Sequence, residues 1–291
     1  MKILVTGKNG QLGCSIKNIV DNALNFLNCE FIFVGREELN FENVNSIRSY
    51  FEVNKFDIII NCAAYTSVDK AELAIKQANS INHIAVKELA RIAKFSNMKL
   101  IHISTDFVFN GDKKKPYTEE DATSPINVYG ETKLAGELAI MATMKFNAII
   151  IRTSWVYSEF GSNFVKTILN LANKNTTLDI VSDQIGTPTY ANDLAQSILS
   201  IAFNENFLKT NKTSEIFHYS NEGESSWYGF AKEIISISGI KCQLNPICSS
   251  EYPLPAKRPE YSTLCKKKIS KEYHLSIEHW KDSLKAYLKN I

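Results

Sequence analysis

The spacing of apolar and polar residues changes character about halfway along the chain. Short, largely β-branched runs at Lys2–Thr6, Phe31–Val34, Asp57–Asn61, Lys99–Ser104 and Ala148–Arg152 read as strands. Between them lie stretches with helical spacing, Gln11–Leu24, Val44–Val53 and Asn79–Phe95. The last carries Ile81, Ile84, Ala85, Leu89, Ile92 and Ala93 as one stripe. Strands that are apolar on both faces and alternate with helices predict a parallel sheet covered on both sides. Right-handed crossovers make such a sheet doubly wound.

The second half is less regular. Helices are predicted over Phe164–Ala172, Asn192–Phe203, Trp227–Ser238 and Ile277–Leu288, with short strands at Leu178–Val181 and Ile216–Ser220. Pro246, Pro253, Pro255 and Pro259 mark a loop over Pro246–Pro259. No repeat, low-complexity tract or linker divides the chain. The expected fold is therefore α/β: a doubly wound, Rossmann-like parallel sheet over residues 1–152 with returning segments near 161–220. A smaller C-terminal substrate-binding lobe, mainly 153–291, is interleaved with it.

Composition narrows the function. The formal net charge is only +2 and charged residues make up 22% of the chain, so no basic surface for nucleic acid is expected. Two basic runs, Lys113-Lys114-Lys115 and Lys266-Lys267-Lys268, read as solvated surface. The six cysteines have no Cys-x-x-Cys or His spacing, which argues against a zinc site or a disulfide framework. The first apolar run is broken at once by Gly7 and Gly10, too soon for a signal peptide or a membrane span. The expectation is a cytoplasmic protein with no metal, nucleic-acid or membrane partner.

Directly after the first strand comes Gly7-Lys8-Asn9-Gly10-Gln11-Leu12-Gly13. Glycines at this spacing let the backbone turn tightly, while the following helix points free N–H groups at an anion. The loop is either a dinucleotide site, with Gly7, Asn9, Gly10, Gln11 and Leu12 at the cofactor, or a purely structural turn. After the second strand, Gly35-Arg36-Glu37-Glu38 reports on the adenosine ribose. Arg36 suits the extra phosphate of NADPH, whereas the two glutamates keep NADH possible. Asn61-Cys62-Ala63-Ala64 supplies small side chains where a cofactor can pass close, or ordinary strand–loop packing.

Tyr129 and Lys133 stand four apart and share one helix face. Free tyrosine ionises near ~10, and an adjacent ammonium is expected to lower that value. Reduction of a ketone needs a proton on oxygen, which such a tyrosine supplies. Lys133 can also hold the nicotinamide ribose, so that both residues touch the cofactor. The same spacing also arises by chance on exposed helices. Thr105, at the end of the fourth strand, is placed either to polarise the carbonyl beside Tyr129 or simply to cap the strand.

These segments resemble the extended short-chain dehydrogenase/reductases. Beyond the glycine loop and Tyr129-Gly130-Glu131-Thr132-Lys133, the resemblance rests on the segments beginning at Asn61 and Ser104. It extends through Arg152-Thr153-Ser154-Trp155-Val156-Tyr157, Asp183-Gln184-Ile185-Gly186-Thr187-Pro188-Thr189 and Arg258-Pro259. Within that superfamily they are similar to the reductases that make dTDP-L-rhamnose from dTDP-4-dehydro-6-deoxy-L-mannose. The resemblance implies Thr105, Tyr129 and Lys133 as the catalytic set. It also implies cofactor contacts from Gly10, Gln11, Leu12, Asn40, Phe41, Ala63, Ala64 and Tyr65.

On the same basis Asp106 and Trp155 face a nucleotide-sugar, although Trp155 also reads as a core tryptophan. Arg258 is a candidate for the substrate diphosphate or for a structural salt bridge. Some members dimerise through Mg2+ held by glutamates; Ser15 and Asn192 stand at those positions here, so a monomer or weak homodimer is expected. Other outcomes are a reductase of another nucleotide-linked 4-keto-6-deoxyhexose, or a non-catalytic subunit like the regulatory subunit of methionine adenosyltransferase.

Overall fold

The computed structural model describes residues 1–23 and 29–290. Leu24, the end of the first predicted helix, lies outside the described residues. Six parallel strands form the main sheet: β1 (Lys2–Thr6), β2 (Glu30–Val34), β3 (Ile58–Asn61), β4 (Lys99–Thr105), β5 (Ala148–Thr153) and β6 (Glu215–His218). Their order is β6-β5-β4-β3-β1-β2, so the direction of winding reverses between β1 and β3.

Helices cover both faces because alternate residues of each strand are apolar on both sides. One face packs Ile3, Val5, Ile60 and Ile151 against α1 (Gln11–Asn22) and the later helix Ala191–Ala202. The other face packs Leu4, Ile59, Leu100 and Ile150 against α2 (Val44–Val53), α3 (Ala85–Phe95) and α4 (Val128–Thr143). The segment Ala191–His218 thus returns to the sheet after the chain has left it. A separate core of Tyr157, Val165, Ile168, Phe230, Ile234, Trp280, Leu284 and Tyr287 builds the second lobe.

Several expectations need correction. The predicted helix Asn79–Phe95 begins earlier, at Ile75, and passes through a π turn over Ser80–Ile84. That turn leaves room for buried Asn82, which stripe counting does not anticipate. The proline-bearing loop starts late, because Gln243–Ile247, with Pro246 inside it, forms a strand parallel to Thr177–Val181. The last helix starts at Trp280 rather than Ile277.

Of the basic runs, Lys114 and Lys115 are exposed. Lys113 is partly buried and paired with Asp121. Lys266 is buried, with Nζ 3.5 Å from Glu222, and Lys268 lies 4.6 Å from the centre of the Phe217 ring. Their aliphatic stems pack while their charges find partners, which a run of like charges conceals.

The π turn and α4 approach closely at Gly136, where an added Cβ would meet Asn82 O at 2.3 Å. Backbone cannot yield there as a flexible side chain would. Gly136→Ala is expected to destabilise the protein by ~1–3 kcal/mol, read as a lowered urea midpoint with an unchanged slope. An unchanged midpoint would show that helix and turn can separate freely.

Candidate active site

A cavity of about 810 Å³ runs along the carboxyl ends of β1, β3, β4 and β5. This is where an open α/β sheet reverses its winding and leaves a crevice. At one end lies the glycine loop. Gly7 adopts φ +72°, and a Cβ on Gly13 would sit 2.3 Å from Gly7 O. The loop therefore folds on itself with no space for a side chain at Gly7 or Gly13. Gly10 caps α1 without a side-chain hydrogen bond, and the first turn carries no acid. These features fit a diphosphate: unpaired N–H donors at a positive helix end, with nothing to repel the anion.

Gly7, Asn9, Gly10, Gln11 and Leu12 all line this end. The Gln11 side chain, however, is committed to the second lobe. Its amide nitrogen donates to Val156 O at 3.1 Å, and its oxygen accepts from Ser158 Oγ at 3.0 Å and Asn163 Nδ2 at 3.1 Å. Any cofactor contact from Gln11 must come from its backbone.

At the end of β2, Glu38 and Arg36 find different partners. Glu38 accepts from Gly35 N at 2.8 Å and pairs with Lys8, which lowers its carboxyl below the usual range. Arg36 lines the cavity with its side chain 70% exposed, 3.5 Å from Glu42. Asn40, Phe41, Ala63 and Ala64 are also on the wall. Tyr65 is not. Asn82 holds its backbone, accepting from Tyr65 N at 2.8 Å and donating to Tyr65 O at 3.1 Å, while the residue packs toward the α2–α4 core.

Thr105, Tyr129 and Lys133 all line the same cavity. Asn127 caps α4 by accepting from Gly130 N at 2.8 Å, and Glu72 accepts from Val128 N at 2.9 Å. Both bonds fix the turn that presents Tyr129. The phenol is tuned otherwise than the spacing predicts. Burial pushes it up to about 12, the Thr105 hydroxyl partly offsets that, and Asp106 adds to it. The Lys133 Nζ donates to Ile103 O at 2.6 Å. Burial also lowers the lysine to about 8, against an opposing pull from Glu137. The result is a firmly protonated phenol beside a lysine that titrates just above neutrality.

Part of the cavity wall is aromatic. Trp155 stacks on Trp227 with ring centres 3.5 Å apart and planes 6° from parallel, and both rings line the wall. Trp155 has φ 45°, a left-handed backbone that is uncommon for a bulky residue. Asp106 is buried here, and its carboxyl is pushed up to about 6 by that burial, with Ser262 and Thr105 opposing. Arg258 is not on the cavity wall. Its guanidinium grips both oxygens of Asp69, at 2.7 Å and 2.5 Å, and donates to Ala256 O at 2.6 Å.

Sequence reasoning passed over the layer beneath these groups. Glu137 and Arg152 form a buried bidentate pair, with Arg152 Nη2 2.6 Å from Glu137 Oε2 and Ser104 donating to Glu137 Oε1 at 2.5 Å. Asn82 donates to Thr132 Oγ1 at 3.1 Å, joining the loop after β3 to the helix that carries Tyr129. In the sequence Trp227 marks only the start of a helix. A signal existed for Glu137, which stands one turn beyond Lys133 on the same face. Nothing local marks the others.

The whole chain, residues 1–291, matches the family described as the RmlD substrate binding domain. A dTDP-4-dehydrorhamnose reductase from Sinorhizobium fredii is 40% identical over 97% of this chain and 95% of its own length. The solved dTDP-4-dehydrorhamnose reductase of Clostridium acetobutylicum is 39% identical with a TM-score of 0.92, covering 100% of this chain and 99% of that one. Another, from Bacillus anthracis and solved in complex with NADP, is 33% identical with a TM-score of 0.91 over 100% of this chain and 99% of its own. With sequence, fold and length all in agreement, this chain belongs to the dTDP-4-dehydrorhamnose reductase family.

Proposed function

We propose that this chain uses NADPH to reduce the 4-keto group of dTDP-4-dehydro-6-deoxy-L-mannose, giving dTDP-L-rhamnose. The observation that carries the reading is one cavity lined by the glycine loop, by Thr105, Tyr129 and Lys133, and by the Trp155–Trp227 pair. Family membership supplies the substrate, and the solved relative with NADP supports the cofactor. Bound NADPH would supply the hydride. This chain's own residues do the rest.

The glycine loop and the N–H groups opening α1 hold the diphosphate, and Arg36 meets the additional phosphate. Thr105 and Tyr129 donate hydrogen bonds to the substrate carbonyl, drawing charge toward its oxygen. As that oxygen becomes an alkoxide it is more basic than a phenolate, so transfer of the Tyr129 proton is downhill. A phenol held at about 12 stays protonated and ready through the physiological range. Lys133, while charged, sits beside the site as the cation that steadies the phenolate left behind. The aromatic surface of Trp155 suits sugar C–H groups or a base.

In this reading the lobe built largely from residues 153–291 covers the sugar nucleotide, and residues 1–152 carry the cofactor. Asp106 faces the sugar. A diphosphate contact from Arg258 would require it to leave Asp69. We further place the protein in the cytoplasm as a monomer or weak homodimer. Among the described residues no helix is long and apolar enough to cross a membrane. Ser15 is buried with its hydroxyl donating to Gln11 O at 2.9 Å, which leaves it no part in a metal bridge between subunits.

The direct test is cofactor oxidation with a panel of nucleotide ketosugars, followed by NMR of the product. Failure to oxidise NADPH with any of them would refute the reading, and a different C4 configuration would reassign the sugar. Tyr129→Phe is expected to keep cofactor affinity and lower kcat by ~10²–10⁴. Turnover close to wild type would remove Tyr129 as the donor. Arg36→Ala is expected to cut kcat/KM for NADPH about tenfold and barely alter that for NADH. This is the low end for a charged hydrogen bond because the side chain is solvated. Equal losses with both cofactors would contradict its assigned contact.

A further inference from the structure

The face of the sheet that packs against α4 is hydrophobic until its carboxyl edge, where a rank of polar residues interrupts it. Register puts Thr6 beside Asn61 and Asn61 beside His102 on adjacent strands. All three are buried, and so is Lys133, which descends onto the rank from α4. The contacts run without a break. Thr6 Oγ1 donates to Asn61 Oδ1 at 2.6 Å, and Asn61 Nδ2 lies 2.9 Å from His102 Nδ1. His102 Nε2 lies 3.4 Å from Lys133 Nζ. At the other end Thr6 Oγ1 accepts from Ala63 N at 3.2 Å, in the loop that lines the cavity.

Donor and acceptor rules give this row two self-consistent settings. In the first, the Asn61 amide nitrogen only donates, so His102 Nδ1 must accept. The neutral ring then carries its proton on Nε2, facing Lys133. An ammonium offers no lone pair to that N–H, whereas a neutral amine does. In the second setting the Asn61 amide is turned over and accepts from His102 Nδ1–H. His102 Nε2 then presents a lone pair to the Lys133 ammonium, and Thr6 Oγ1 accepts from Asn61 Nδ2. A doubly protonated His102 is excluded, because burial and the nearby lysine hold it well below its ordinary value.

We propose that His102, oriented by Asn61 and Thr6, is a positioning residue that sets where the Lys133 nitrogen rests and which charge it carries. The role of Lys133 in catalysis rests on the ketone-reductase reading; its coupling to His102 does not. The other ionisable groups around Lys133 are Cys62 after β3, Glu137 one turn along α4 and Tyr129 one turn before. Glu137 is itself neutralised by Arg152. Cys62 is pushed up to about 12 by burial and stays a neutral thiol. His102 is therefore the neighbour whose hydrogen bonding must change when Lys133 gains its proton in the first setting.

The sign follows from the lysine. Its ammonium is present below about 8 and lost above it, so kcat/KM for reduction falls as pH rises through that value. One unit above the midpoint, about a tenth of the plateau remains.

Two substitutions separate the two ring nitrogens. His102→Asn keeps a polar group at the Nδ1 position, toward Asn61, and opens space beside Lys133 to water. His102→Gln keeps one at the Nε2 position, toward Lys133. The readout is the titration of Lys133 in ligand-free protein by NMR of 13C-labelled lysine, assigned by the signal missing from Lys133→Met. Hydration of the ammonium should raise the midpoint in His102→Asn by half a unit or more, roughly a threefold change in the proton equilibrium. His102→Gln should stay near wild type, and the alkaline limb of kcat/KM should move with the midpoint in each. Coincident midpoints in all three proteins, or equal shifts in both variants, would overturn the proposal. If the midpoints move as expected but no ketosugar is reduced, the coupling stands and the functional reading falls.

Discussion

The arrangement of the site depends on one buried ion pair. Glu137 and Arg152 are 1% and 2% exposed, so neither charge has water to stabilise it. Taking one such charge away typically costs ~3–5 kcal/mol, because the other is left buried and unpaired. That penalty makes the geometry of the pair rigid. Arg152 lies near the end of β5, with its guanidinium carbon 5.1 Å from the centre of the Phe109 ring. Glu137 lies on α4, four residues after Lys133. Joining them fixes the rotation of α4 about its own axis. A helix free to rotate by one residue would swing Tyr129 and Lys133 about 100° from the cavity.

The same pair connects the strand ends to the aromatic wall. Three residues beyond Arg152 the chain reaches Trp155, whose ring forms part of the aromatic wall. Ser104, which donates to Glu137, immediately precedes Thr105. Strand end, helix face and aromatic wall are thus referred to one charged contact. The polar rank of Thr6, Asn61 and His102 lies on the same face of the sheet, so Lys133 rests between two buried polar groupings. One is an ion pair of fixed charge. The other is a neutral row that can reorganise without moving backbone.

Much of the layout was legible because it follows from local rules. β1 and the α2 and Trp227–Ser238 helices start and end where alternation and helical spacing place them. The glycine loop and the Tyr129–Lys133 pair are short-range patterns, and short-range patterns survive in sequence. The energetics of Lys133 did not. Spacing alone puts its ammonium near the phenol, but the Ile103 carbonyl, thirty residues away in sequence, captures it. Arg258 shows the same limit. A diphosphate partner and a carboxylate partner demand identical chemistry, and only the fold discloses that Asp69 stands opposite. Lys266 reads as surface because its neighbours do, while its partner Glu222 arrives from a distant segment. Local sequence states what a side chain can do, and long-range packing decides what it does.

Trp155 carries that lesson into energetics. A left-handed backbone at a bulky residue costs of order 1–3 kcal/mol and persists only when its surroundings determine it. They do so here on both sides of the residue. Ser154 Oγ donates to Thr187 O at 2.8 Å, and Thr189 N donates to Trp155 O at 3.1 Å. The ring is then clamped face to face on Trp227, whose own N–H is held by Gln184 at 3.2 Å. Each of these partners belongs to the second lobe, whereas Trp155 directly follows a strand of the sheet. An extended backbone at Trp155 would relieve the strain but turn the ring off Trp227 and open the cavity wall. The strain is therefore the energetic cost of a fixed aromatic surface at the junction of two cores, offset by the hydrogen bonds that Ser154 and Trp155 make with Thr187 and Thr189 and by ring stacking. Because the Arg152 contact sets the approach of β5 and the Thr187–Thr189 segment sets its departure, the Trp155 ring is held from both directions before any ligand arrives.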